Sequence, residues 1–238
     1  TWSALREIDP APLVQACGNG PMVAAHGGRL FVTFETYKHF DDPAPWSARS
    51  ALIASDDGGR TWQPPRIVAG DPAHFRHYWD QHLHQLSDGT LVDMMWRDDR
   101  REVGRSDICA VRSSDGGRTW SEPAATGIAG QYSTLIERAN GQCVLVYVRR
   151  GREPSIRLRL LEPGLRHWGD RDHLVLYGQS LDDVARFEGA SFTQYLTGMV
   201  DWTFGWPTLL ELPGNELLVS YYVGGSERSS IHFARVRL

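Results

Sequence analysis

The stretch Ser55-Asp56-Asp57-Gly58-Gly59-Arg60-Thr61-Trp62 recurs 58 residues later as Ser113-Ser114-Asp115-Gly116-Gly117-Arg118-Thr119-Trp120, the two copies differing only at Asp56 and Ser114. Thr1-Trp2-Ser3 matches Thr119-Trp120-Ser121, the end of such a box. Glu162-Pro163-Gly164-Leu165-Arg166-His167-Trp168 keeps the Gly and Trp of a worn copy and lacks its Ser and Asp. Self-similarity at a fixed period indicates a repeated supersecondary unit, so it decides the fold before any single segment does. The box residues have structural reasons to be there. Gly59 and Gly117 suit a tight turn at positive φ, which glycine adopts without a Cβ clash. Asp57 and Asp115, with Ser55 and Ser113, can accept hydrogen bonds from turn N–H groups. Trp62 and Trp120 can fold back and bury a large apolar face.

A second repeat lies between the boxes. Leu86-Ser87-Asp88-Gly89-Thr90-Leu91-Val92 reads as strand, Asp-Gly turn, strand. Similar pieces start at Ala25, Glu137 and Leu212, and each is followed by a third apolar segment: 51–54, 108–111, 156–160 and 231–236. The unit is therefore strand A, turn, strand B, loop, strand C, box, strand D. Four short antiparallel strands per roughly 50–60 residues describe one blade of an all-β propeller. Gly169 to Phe204 breaks the rhythm and reads as an insertion between blades, with a short helix over 181–187 capped by Ser180.

The pattern Ser-x-Asp-x-Gly-x-Thr-Trp resembles the Asp box of the sialidase (neuraminidase) superfamily, the resemblance extending over nearly the whole chain through the blade repeat. It implies a β-propeller of four-stranded antiparallel blades, six in the family, of which this chain covers about four and part of another. On that count one domain spans 1–238 and lacks roughly 100 residues upstream. The alternative is a smaller closed propeller in which residues 1–9 supply an outer strand.

Composition limits the partners. The chain has 238 residues, a net charge of −4 and 41 % hydrophobic residues. The charge argues against a general nucleic-acid binder, and no apolar run approaches the roughly 18 residues of a membrane span. Cys17, Cys109 and Cys143 form neither a disulfide framework nor a zinc spacing, and no cofactor motif is present. The chain begins without Met and with no signal-peptide pattern, so its compartment is not read. Of 25 basic residues, only Lys38 is lysine. Arginine's planar fork suits carboxylate ligands, which lysine cannot grip in two places.

In a propeller the loops entering strand A and leaving strand B open at one mouth. The candidates at those points are Glu35, Asp80, His82, Arg97, Gln131, Arg149, Trp206 and Tyr222. Arg97 and Arg149 each stand eight residues past a turn glycine, Gly89 and Gly141. The resemblance implies an exo-acting glycoside hydrolase for an acidic sugar, gripped by Arg97 and Arg149. Its nucleophile is a tyrosine activated by a glutamate, which avoids repulsion between two anions and departs from the usual two-carboxylate scheme. At the family's tyrosine and glutamate positions this chain has Trp206 and a residue near His82. The candidate catalytic groups are thus His82, Asp80 and Tyr222, and the candidate sugar contacts Arg97, Arg149, Trp206, Gln131 and Glu35. Asp80 is the expected internal partner of an arginine fork. A metal at His82 and His84 lacks a third ligand. Two other readings remain open: a non-catalytic glycan-binding propeller, and a uronate lyase using His82 and a tyrosine. The ligand in each is a carbohydrate, and the oligomeric state is not read.

Overall fold

The computed structural model describes residues 4–18, 20–39, 41–45, 48–101, 106–150, 153–178, 203–225 and 227–238. Four antiparallel sheets follow one another as propeller blades. The first contains β1 (Ala16–Gly18), β2 (Val23–Ala24), β3 (Leu30–Thr36), β4 (Arg49–Ser55) and β5 (Arg66–Ala69). Here β1 and β2 together hold the strand A position beside β3. The second has the order β6 (Arg76–Gln85), β7 (Leu91–Asp99), β8 (Ser106–Ser113) and β9 (Ala124–Ile128). The third is β10 (Ser133–Glu137), β11 (Cys143–Arg149), β12 (Ser155–Leu161) and β13 (Leu174–Gly178). The fourth, among the described residues, is β14 (Phe204–Leu212), β15 (Glu216–Gly224) and β16 (Ser229–Arg237).

Each sheet buries its faces against the next. Phe31, Leu52, Leu83, Leu91 and Met95 fill the seam between sheets one and two. Val92, Met94, Leu135, Leu145 and Leu165 fill the next. Val146, Leu158, Phe204, Leu217 and Val219 fill the third. Alternation along β7 sends Leu91 and Met95 to one seam and Val92 and Met94 to the other, as the period-two pleat requires.

Both boxes join strands C and D. Asp115 Oδ1 accepts the backbone N–H of Arg118 (2.9 Å) and Thr119 (3.0 Å), and Oδ2 accepts the Thr119 hydroxyl (2.6 Å). Ser113 Oγ accepts the N–H of Gly117 (2.9 Å), which has φ +79°. Asp57, Ser55 and Gly59 repeat this pattern. Trp62 lies over Gly59, and Trp120 packs against the first seam. The worn copy occupies the same place in sheet three. There the Arg112 guanidinium bonds the carbonyls of Gly164 and Leu165, and buried Leu165 anchors the turn instead of an aspartate.

The supposed insertion needs correction. Leu174–Gly178 is β13, the outer strand of sheet three, paired with β12. Its apolar run is short and follows a box without Ser or Asp, so it carries no marker of its own. The expected helix at 181–187 and the partial box at 1–3 lie outside the described residues.

Candidate functional site

The inner strands break at matching places. In β6 the pairing with β7 shifts between Trp79 and His82, and in β14 the pairing with β15 shifts between Gly205 and Thr208. Asp80 (φ +52°) and Trp206 (φ +48°) sit inside those bulges. In sheet one the break falls between β1 and β2, at Gly20 (φ +82°). A bulge re-aims its side chain. A non-glycine residue in the left-handed region costs about 1–2 kcal/mol, a strain that clusters at functional sites.

Glu35 lies buried near the end of β3 and is gripped from two sides. Its Oε2 accepts the Tyr37 hydroxyl at 2.5 Å, and its Oε1 accepts the backbone N–H of Asp80. The bulge is also pinned by Gln81, whose Nε2 donates to the carbonyls of Phe34 (2.5 Å) and Ala51 (3.1 Å). Burial, the Glu35 charge, its hydrogen bond and the Asp80 charge all push the Tyr37 phenol far above the usual tyrosine range. Tyr37 is therefore a neutral phenol, yet 38 % exposed.

A second group lies at the seam of sheets three and four. The Tyr132 and Trp206 rings stand 4.8 Å apart. Arg150 donates through Nη2 to the Phe204 carbonyl (2.6 Å) and through Nε to Gln131 Oε1 (3.3 Å), its guanidinium 4.5 Å from the Phe204 ring centre. Gly205 leaves room for this: a Cβ there would meet the Tyr222 ring and hydroxyl at 3.0–3.1 Å and Arg150 Nη2 at 3.2 Å. The Tyr132 phenol is raised chiefly by burial, and the Asp80 charge adds to this.

The structure thus brings Glu35 and Asp80 together, sets Gln131 and Tyr222 around Arg150, and sets Trp206 against Tyr132. It engages the two expected clamp arginines elsewhere. Arg97 holds Asp107 through both arms of its fork, at 2.8 and 2.6 Å. Asp107, not Asp80, is its partner, because these two residues face each other across β7 and β8. Arg149 pairs with Glu153 at 3.1 Å. His82 is buried and makes no hydrogen bond to a described residue; burial and neighbouring His84 lower its imidazole to about 4, so it is neutral at pH 7. His84 Nε2 accepts the Glu137 N–H at 3.2 Å. Among the described residues, no group of three or more His, Cys, Asp or Glu is arranged to hold a metal. No helix among them is long and apolar enough to cross a membrane.

Sequence reasoning missed Tyr37, Tyr132 and Arg150. A signal existed for Tyr37, which stands two positions from Glu35. Arg150 is the immediate neighbour of the arginine chosen instead, and adjacent positions on an extended chain face opposite ways.

A sequence model of the BNR repeat-like domain matches residues 1–213. The chain belongs to the BNR repeat-like domain family. The fold of this BNR repeat-like chain is shared by solved structures of low identity. A Dyadobacter fermentans protein of unknown function is 23 % identical, with 92 % of this chain and 52 % of that one covered and a TM-score of 0.65. A Hadza microbial sialidase is 16 % identical over 92 % and 44 %, TM-score 0.62. An α-L-arabinofuranosidase of Fusarium graminearum, solved with an iminosugar inhibitor, is 17 % identical over 94 % and 63 %, TM-score 0.61. The chain spans about half the length of the first two. No curated protein matches it.

Proposed function

We propose that the chain carries the reacting centre of a glycoside hydrolase that removes a terminal, carboxylate-bearing sugar. The observation that carries this reading is the 2.5 Å bond from Tyr37 to buried Glu35, whose other oxygen accepts the Asp80 N–H. Tyr37 Oη attacks the anomeric carbon as its proton passes to Glu35, and the bond to the leaving oxygen breaks. Asp80, in its protonated form, gives that oxygen its proton. Water then attacks the tyrosyl-linked sugar, losing a proton to Asp80 as Glu35 returns one to the departing phenolate. A neutral nucleophile suits a sugar whose carboxylate would repel an anion, which is why this tyrosine scheme stands apart from the two-carboxylate one. Trp206 and Tyr132 offer apolar ring surface to the sugar's C–H face, and Arg150 offers a cation.

One observation favours a neutral sugar instead: Arg97 and Arg149 already hold carboxylates of the chain itself. The two readings separate on a panel of 4-methylumbelliferyl glycosides, one of sialic acid, one of glucuronic acid and one of arabinofuranose. The acidic-sugar reading expects turnover of one of the first two, lost at least a hundredfold in Glu35→Gln. Turnover of the arabinofuranoside alone selects the neutral sugar. Full activity in Glu35→Gln removes the reacting centre from this place.

A further inference from the structure

Asp80 meets Glu35 through its backbone N–H, and it does so from a left-handed backbone at φ +52°. That conformation is unfavourable for an aspartate and persists only where the surroundings over-determine it. The ladder does not hold it, because the pairing of β6 with β7 shifts between Trp79 and His82. The neighbouring residue does. Gln81 is fully buried, and its Nε2 donates to the carbonyls of Phe34 (2.5 Å) and Ala51 (3.1 Å), which face each other across β3 and β4. One amide group therefore ties the bulge to two strands of sheet one.

The bonds are reciprocal. The Glu35 side chain accepts from the main chain at Asp80, and the Gln81 side chain donates to the main chain at Phe34. Two adjacent residues of β3 thus grip two adjacent residues of β6, and neither pair can slide without breaking both links. Gln81 serves here through its donors, since its Oε1 has no hydrogen-bond partner among the described residues. The place is also closed: a Cβ at Gly20 would meet the Gln81 carbonyl at 3.2 Å. The matching break in β14 is held more simply. Pro207 follows Trp206 as Gln81 follows Asp80, but it has no donor, and its carbonyl accepts the Thr134 hydroxyl at 2.7 Å. The ring of Trp206 offers a surface. A carboxyl that passes a proton must also keep its distance, and a misplacement of about 1 Å can cost about a hundredfold in rate.

The seam itself has other supports. Leu52, Leu83, Leu91 and Met95 pack it, and the Tyr78 N–H donates to the Ala48 carbonyl at 3.1 Å. With no exposed surface, Gln81 cannot touch a sugar. We propose that Gln81 is a positioning residue, whose two N–H bonds fix the bulge so that Asp80 is held in place to protonate the leaving oxygen. This rests on the reading of Tyr37, Glu35 and Asp80 as the reacting centre.

The test compares the parent chain with Gln81→Met, which keeps the side chain's length and removes both donors, and with Gln81→Asn, which keeps the donors and shortens their reach. Two quantities are read: kcat and KM on the 4-methylumbelliferyl glycoside that the parent hydrolyses, and the Asp80 amide proton by NMR. A charge-assisted bond to a carboxylate is short and strong, and draws that signal downfield. The expected result is a fall in kcat of at least tenfold in both variants, with KM within twofold of the parent's and the Asp80 signal moved upfield. Thermal melts establish that the variants fold. An Asp80 signal unmoved in both, an unchanged kcat, or a loss carried by KM alone overturns the proposal. So does failure of both variants to fold, which makes Gln81 an anchor of the sheets instead. Failure of the reacting centre looks different: turnover survives Glu35→Gln, while the Asp80 signal still moves in the Gln81 variants.

Discussion

Asp93 stands in the middle of β7, fully buried, opposite Leu83 on one side and Val111 on the other. Neither of its carboxyl oxygens has a hydrogen-bond partner among the described residues. Burial alone pushes its pKa well above the ordinary carboxylate range. In the unfolded chain the same group ionises near pH 3.9. The sign follows from linkage. Below about pH 3.9 both states hold the proton and the group adds no pH dependence. Above it the unfolded chain releases the proton while the folded one keeps it, so stability falls by about 1.4 kcal/mol per pH unit until the folded pKa is passed. Between pH 3.9 and 7 the ceiling on that loss is about 4 kcal/mol. Desolvating a carboxyl without a partner adds about 1–3 kcal/mol at any pH. Asp93→Val suits a strand between Leu91 and Met95 and removes both costs. At about 2–4 °C per kcal/mol for a domain of this size, a gain of a few kcal/mol should raise Tm by of order 10 °C at pH 7. The gain should shrink towards pH 4.5. Calorimetric melts of both proteins from pH 4.5 to 8 measure it. A Tm difference that does not change with pH, or a variant less stable at pH 7 than the parent, refutes the reasoning.

Arg97→Ala leaves Asp107 partly buried without its fork and should cost about 2–3 kcal/mol, read in urea unfolding, since breaking one side of a buried pair exceeds the pair's own net worth. Gly205→Ala puts a methyl against Tyr222 and Arg150. It should weaken saccharide binding at the mouth at least tenfold, measured by titration calorimetry, while Tm falls by only a few degrees. Gly130→Ala meets Tyr147 at 2.8 Å and Ile108 at 3.0 Å. That is overpacking in a closed seam and should cost about 1–3 kcal/mol in the same urea experiment.

The blade order was legible because its markers are local. Asp57 and Asp115 each gather their bonds from residues within four positions, so the box shows in eight letters of sequence. Asp88 with Gly89, and Gly141, mark their turns in the same way. The outer strand β13 was hidden because its preceding turn is held by Arg112 from another sheet, a contact 52 residues distant. At the mouth, position along the chain indicated which residues arrive there but not which way they face. The bulges at Asp80 and Trp206 shift the parity of β6 and β14, and at the end of β11 it is Arg150, not its neighbour Arg149, that turns towards Gln131. Cross-strand pairing likewise took Arg97 to Asp107, a partner that spacing from the turn glycine does not reveal. The bond from Asp80 to Glu35 joins groups 45 residues apart in neighbouring sheets, and only the packing of those sheets makes it.

Replacing Tyr37 by Phe removes the hydroxyl bonded to Glu35 and keeps the ring. The initial rate of sugar release by this variant, on whichever glycoside the parent chain hydrolyses, reads the nucleophile directly. A fall of at least a hundredfold with saccharide binding retained is the predicted result; a rate equal to the parent's would contradict a reacting centre at Tyr37 and Glu35.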